Sequence, residues 1–186
     1  MKDFDKYSSR GAYHWDWYRQ NKFGYRDKVT RILSYLPNRG VVLDGGCGDG
    51  VLSCCVHNKG LDVVGIDINE CAIQIAREKA SAHCADRPPE FKVSSIFDVE
   101  NDCYDYCVCC DVIEHVEDCQ GIINKIINCA KLECVITTPD AAYYSPGNYD
   151  FRLYSVDELA GMLQQFKPSI QSIEGTIYVR IKRSSL

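Results

Sequence analysis

Two carboxylates with a run of glycines between them are the residues of this chain best suited to chemistry. The first stands in Val41-Val42-Leu43-Asp44-Gly45-Gly46-Cys47-Gly48-Asp49-Gly50, where three apolar residues run into an acid and then into a glycine cluster. Glycine costs roughly 0.5–1 kcal/mol inside a regular element, so the cluster needs a backbone reason: a left-handed dihedral or a ligand lying against the main chain. The helix that follows, Val51 to His57, turns unpaired N–H groups and a positive dipole end toward the loop. Strand, glycine loop and helix open a nucleotide-binding α/β unit. A dinucleotide fingerprint counted from Gly46 puts Val51 at its third small position, which is too large, and no Lys-Ser/Thr follows to make a P-loop. Asp44 beside the loop suits a cationic ligand better than a pyrophosphate. The second acid, Asp67, closes Leu61-Asp62-Val63-Val64-Gly65-Ile66-Asp67, about 20 residues past the glycines, the spacing at which a carboxylate accepts from ribose hydroxyls. Its alternative role is to cap the next helix, which Asn69 is equally able to do.

A third group, Asp111-Val112-Ile113-Glu114-His115, follows the apolar segment Tyr104 to Cys110. Ligands of α/β folds bind at the carboxyl ends of parallel strands, so Glu114 and His115 are expected at a reacting centre. An imidazole titrates at about pH 6.5 when unperturbed, close to where a general base should sit, which makes His115 the first candidate for that role. The alternative is a helix start with acids at the dipole. His14 is the second candidate base. It lies in Tyr13-His14-Trp15-Asp16-Trp17-Tyr18, where helical spacing sets Tyr13 and Trp17 on one face.

These residues need a frame, and the pattern supplies one. Met1 to Ser9 reads as a loose terminus, and Phe23 to Leu36 as a helix with Val29, Ile32, Leu33 and Leu36 as its apolar stripe. Val41–Leu43, Leu61–Asp67, Phe91–Val93, Tyr104–Cys110 and Leu132–Thr137 read as strands. Between them Glu70–Ala82 and Gly121–Ala130 read as helices with buried isoleucines. Ser155-Val156-Asp157-Glu158 is a capping-box helix start running to about Phe166, and Ile170–Ile173 and Thr176–Lys182 form a hairpin over Glu174-Gly175. The expected fold is one α/β domain over residues 1–186, with an N-terminal helical cap (1–36) on a core (40–183). Its sheet is Rossmann-like, seven-stranded and mostly parallel, with helices on both faces and a C-terminal antiparallel hairpin.

Composition narrows the function classes. No apolar run approaches the roughly 18 residues that span a membrane, and no apolar signal core opens the chain, so a cytoplasmic protein is expected. A net charge of −5 argues against a large nucleic-acid footprint, although a local basic face can hide within it. The twelve cysteines, among them Cys107, Cys109 and Cys110, read as small buried hydrophobes; no second pair at zinc-knuckle spacing accompanies them.

The stretch from Asp44 to Gly50 resembles motif I of the class I S-adenosylmethionine-dependent methyltransferases, and the resemblance runs from Val41 to the C-terminus. It implies a reaction, methyl transfer from S-adenosyl-L-methionine, and a loop (Asp44, Gly45, Gly46, Cys47, Gly48, Gly50) lying under the methionine part. It puts Asp67 and Ile68 at the ribose, Ser95, Ile96 and Asp98 as candidates at the adenine, and Asp111 and Val112 in the remaining cofactor wall. Asp111 to Asp118 and Thr137-Thr138-Pro139-Asp140 resemble the subset with a Glu-His motif, which includes ubiquinone-pathway O-methyltransferases and small-RNA 2′-O-methyltransferases. The RNA group holds a metal on Asp/Glu-x-x-Glu-His with a second His four residues on; Cys119 stands there instead, so no metal is assigned. Acceptor contacts are expected from Tyr13, Trp17 and Glu114, and from Tyr143, Tyr144 and Tyr149 in a long loop. The expected acceptor is a small molecule with an O or N nucleophile. The alternatives are a metal-dependent RNA 2′-O-methyltransferase and a cofactor-binding protein without catalysis. The acceptor itself, the methylated atom and the oligomeric state are not legible in the residues.

Overall fold

A computed structural model describes residues 6–84 and 87–183. Its strands hydrogen-bond in the order β3-β2-β1-β4-β5-β7-β6 as one seven-stranded sheet, where β1 is Val41–Gly45, β2 Asp62–Asp67, β3 Glu90–Val93, β4 Tyr104–Cys110, β5 Ala130–Pro139, β6 Ser169–Ile173 and β7 Thr176–Lys182. Chain contacts separate into two compact units, one within Phe4–Asp98 and one within Val99–Leu186.

In the first unit, β1 pairs in parallel with β2 and β2 with β3. Two crossover helices join them, α4 (Val51–Asn58) and α5 (Glu70–His83). The inner residues are short and apolar: Cys54, Ile73, Ala76, Ala80 and Phe91 form one buried cluster with Cys47 and Cys84. Asn69 caps α5 by accepting from the Ala72 N–H, so the capping role falls on Asn69. Ahead of the strands lie α1 (Lys6–Arg10), α2 (Tyr13–Gln20) and α3 (Tyr25–Tyr35). Two expectations need correcting here. The N-terminal stretch is helical from Lys6, because Tyr7 buries its ring against Tyr13 and Ala72; Met1–Asp5 lie outside the described residues. The helix expected from Phe23 starts at Tyr25, because Phe23 (φ 56°) and Gly24 (φ 67°) are both left-handed and break the run. Leu36 turns extended ahead of Pro37 and stops α3.

In the second unit, β4 and β5 are parallel, and β7 runs antiparallel to both β5 and β6. Glu174 (φ 51°) and Gly175 (φ 78°) make the two-residue hairpin turn that the sequence announces. Helix α6 (Cys119–Cys129) buries Ile122, Ile123, Ile126 and Ile127. It passes directly into β5, which is longer at both ends than expected because Ala130 and Pro139 extend its pairing. Helix α7 (Val156–Leu163) starts on a complete capping box between Ser155 and Glu158. The twelve cysteines are free thiols, eight of them buried.

Candidate active site

In the first unit, the loop after β1 is shaped by its own main chain. The N–H groups of Gly46 and Cys47 both donate to the Ile66 carbonyl, at 2.8 and 2.9 Å, which ties the loop to β2. Gly48 and Gly50 cannot be replaced freely. Both have positive φ, and a Cβ would lie 2.1 Å from the Tyr7 hydroxyl at Gly48 and 2.9 Å from the Ala76 Cβ at Gly50. The Asp67 carboxylate reaches back across this turn: Oδ2 accepts from the Gly48 N–H at 2.9 Å and Oδ1 from the Asn69 N–H at 2.8 Å. The two acids flanking the glycines therefore stand on adjacent strands, at either side of the same loop.

Three carboxylates surround that loop. Asp44 is fully buried, accepts from the Ser53 hydroxyl at 2.6 Å, and has its pKa raised to about 7, chiefly by burial and further by Asp67. Asp67 is also raised by burial, with the Asn69 and Gly48 N–H groups and His14 opposing. Burial pushes the Cys47 thiol well up, and the three acids add to this, so it is an inert filler rather than a nucleophile. Asp49, which the sequence reading left unassigned, is 1% exposed. It accepts the His14 N–H on Oδ2 at 2.9 Å, and its carbonyl accepts the Trp15 indole N–H at 2.8 Å. Both bonds fasten α2, whose own N-cap residue, Ala12, has no side chain for the task.

The aromatic residues of α2 gather over this loop. Tyr13 and Trp17 meet edge-to-face with ring centroids 5.0 Å apart, as helical spacing requires, and the His14 ring packs against Tyr13, Trp17 and Tyr25. The Tyr7 and Tyr13 phenols share a hydrogen bond, and burial raises the pKa of each. At the carboxyl ends of β2 and β3, Ile68, Val93 and Phe97 are exposed apolar side chains, whereas Ile96 is buried. Ser95 accepts from the Phe97 N–H. The exposed ring of this stretch is Phe97, next to buried Ile96.

In the second unit, β4 ends in a tight turn. Asp111 is left-handed (φ 54°) and accepts from the Thr137 hydroxyl at 3.0 Å, and half-buried Val112 leads into a 3₁₀ turn, Ile113–His115. Glu114 faces inward: it is 1% exposed, accepts from the Thr138 hydroxyl at 3.0 Å, and its carbonyl receives the Phe151 N–H. Buried between the turn and β5, it braces the loop that ends at Phe151. The His115 Nδ1 lies 3.0 Å from Asp150 Oδ1, and Asp150 Oδ2 accepts from the Gly147 N–H. Asp150 was not singled out from the sequence, where nothing but its membership of the long loop marks it. Tyr143 and Tyr144 are exposed on that loop, Tyr144 with its ring against Gly175, while Tyr149 is half-buried. Among the described residues no three His, Cys, Asp or Glu side chains are grouped to hold a metal; Asp111 and Glu114 are each engaged by a different threonine of β5.

Residues 38–176 match the family model of the methyltransferase domain. The chain belongs to that family. Among curated proteins, it is 31% identical over 139 residues to a ubiquinone biosynthesis O-methyltransferase of Pectobacterium atrosepticum, covering 70% of this chain and 56% of the relative. It is 28% identical to the Rickettsia typhi protein of the same name, covering 68% and 54%. The chain thus spans about half the length of the curated relatives it matches. Among solved structures, magnesium protoporphyrin IX methyltransferase from Synechocystis PCC 6803 with bound SAM superposes with a TM-score of 0.76 at 21% identity, over 97% of this chain and 94% of that one. The fold is that of the class I methyltransferases. The glycine loop also fits an S-adenosylmethionine-like ligand on its own chemistry. Buried Asp44 and Asp49 and half-buried Asp67 together favour a cation at the loop, and among the described residues Asp49 Oδ1 is a buried oxygen with no hydrogen-bond partner, 3.4 Å from His14 Nδ1.

Proposed function

We propose that this member of the methyltransferase family binds S-adenosyl-L-methionine at the glycine loop and moves its methyl group to an oxygen or nitrogen of a small-molecule acceptor. The observation that carries the reading is the frame of Asp44, glycines and Asp67, held by the Gly48–Asp67 bond, in which one acid suits a cation and the other a pair of ribose hydroxyls. The exposed Ile68 and Phe97 supply an apolar surface for the adenine. The sulfonium of the bound cofactor activates the methyl group; this chain's residues orient the acceptor and remove its proton. For that proton the best-placed group in the second unit is His115. Asp150 Oδ1 stands 3.0 Å from Nδ1 as a charge contact rather than a hydrogen bond, and Nε2 is the nitrogen proposed to take the proton. Exposed Tyr143 and Tyr144 are the proposed acceptor contacts on the loop that Asp150 anchors.

Twelve free thiols suit a reducing compartment, and among the described residues no helix is long and apolar enough to cross a membrane; both support a place in the cytoplasm. Titration calorimetry tests the reading. Wild type should bind S-adenosylmethionine, and Asp67→Ala should bind it about tenfold or more weakly, since charge-assisted hydrogen bonds are worth about 1.5–3 kcal/mol each. Equal affinity in the two proteins would leave Asp67 as a loop brace and remove the cofactor geometry.

A further inference from the structure

Among the described residues Phe23 is the most exposed large apolar side chain, at 74%. A lone exposed phenylalanine is ordinary, but this one is held out by its backbone. Phe23 stands at φ 56°, between Asn21 at 49° and Gly24 at 67°, and a bulky residue enters the left-handed region only at a cost. The corner is knotted rather than loose. Asn21 Oδ1 accepts the Arg26 N–H at 3.0 Å, Asn21 Nδ2 donates to Asp27 at 2.7 Å, and the Gly24 N–H donates to the Asn21 carbonyl at 3.2 Å. Strain is tolerated here to present an apolar ring outward, which calls for a partner to receive it.

Charge says what kind of partner. Residues 6–31 carry seven Lys and Arg against two acids, in a chain whose net charge is −5. Both acids are engaged: Asp16 pairs with Arg19 at 2.7 Å, and Asp27 accepts from Asn21. Exposed Arg19, Lys22 and Arg26 flank Phe23 within about one helical turn on either side. The Lys22 ammonium lies over the Phe23 ring, 5.1 Å from its centroid, and half-buried Trp17 packs edge-on against that ring at 5.2 Å. A ring with an ammonium beside it suits a lipid interface: the ring enters the hydrocarbon side while the ammonium stays level with the phosphates. A nucleic-acid base fits less well, because the cation already stands over a face on which a base would stack. We propose that the corner between α2 and α3, residues 21–24, docks on an anionic lipid surface, with Phe23 at the boundary of headgroups and acyl chains and Arg19, Lys22 and Arg26 on the phosphates. Such docking needs no spanning helix. The remainder of the chain is acidic and is repelled by the same surface, so the basic end faces it. The docking is independent of the adenosyl ligand proposed above.

Co-sedimentation of the whole chain with vesicles is the test. Wild type should bind vesicles of equal parts phosphatidylcholine and phosphatidylglycerol, and bind about tenfold or more weakly to phosphatidylcholine alone or at high salt. Phe23→Asn should bind the anionic vesicles about tenfold more weakly yet unfold at the same or a higher urea concentration, because asparagine tolerates the left-handed region better. Lys22→Gln and Arg26→Gln should each lose about fivefold. Trp17 touches Phe23, so wild-type tryptophan emission should shift to the blue on anionic vesicles and be quenched by phosphatidylglycerol brominated on its acyl chains. Wild type that stays in the supernatant with anionic vesicles overturns the proposal, and so does Phe23→Asn that binds them as wild type does. Binding to a single-stranded RNA oligonucleotide that is lost in Lys22→Gln and Phe23→Asn, with none to vesicles, assigns the corner to nucleic acid and overturns it as well.

Discussion

Removing the charge of Asp44 should make the ligand-free protein more stable, and increasingly so as the pH rises. Asp44 is 1% exposed and accepts from the Ser53 hydroxyl and the Ser53 main chain. Burial lifts its pKa from 3.8 to about 7. The folded chain therefore holds this proton more tightly than the unfolded chain does. Between the two pKa values the native state binds more protons, so stability falls as pH rises from about 4 to about 7 and levels off above that. With about 1.4 kcal/mol per unit, the ionised carboxylate costs on the order of 4 kcal/mol at alkaline pH and almost nothing below the unfolded pKa. Asp44→Asn keeps the shape and an oxygen for Ser53 but cannot ionise. Its stability relative to wild type should grow by about 2–3 kcal/mol between pH 5 and pH 8. Asp67 is raised in the same direction and acts on Asp44 through its charge, so the difference reports Asp44 together with that coupling. The assay is urea unfolding at each pH, followed by the fluorescence of Trp15 and Trp17. A difference that stays constant from pH 5 to pH 8 would refute the reasoning, because Asp44 would then ionise alike in both states.

Two further outcomes are expected. His115→Ala should leave cofactor affinity nearly unchanged and cut kcat by about 10²–10⁴-fold; a fully active, chelator-insensitive His115→Asn enzyme sinks the role. Ser155→Ala should destabilise the protein by about 1 kcal/mol through loss of the α7 cap, in an unfolding titration. The Ser155 N–H and hydroxyl hold the Glu158 carboxyl below its ordinary range, so that contribution is present at neutral pH and fades as acid protonates Glu158.

The frame of the candidate cofactor site was legible because its parts are local. A strand, a glycine turn and a helix start are set by backbone dihedrals of consecutive residues, and Gly48 and Gly50 hold the positive φ that their type announces. The strand pattern also gave all seven strands and the closing hairpin, since alternation and turn chemistry need no distant partner. Helix ends were less legible: Phe23 takes a left-handed conformation that its side chain does not advertise, with its ring against Trp17 and under the Lys22 ammonium.

What the tertiary structure decided is which side chains face each other across long stretches of chain. Asp49 meets His14, and Asp150 meets His115, in each case from a segment far away in sequence. No periodicity reports such a pairing, because it depends on where a loop lands after the elements on both sides have packed. The same holds for Glu114. Its sequence position beside His115 suggested an acceptor contact, yet the turn after β4 aims it inward to Thr138. Neighbours in sequence on a tight turn point in different directions, so adjacency fixed their common location but only the packed structure fixed which one is buried.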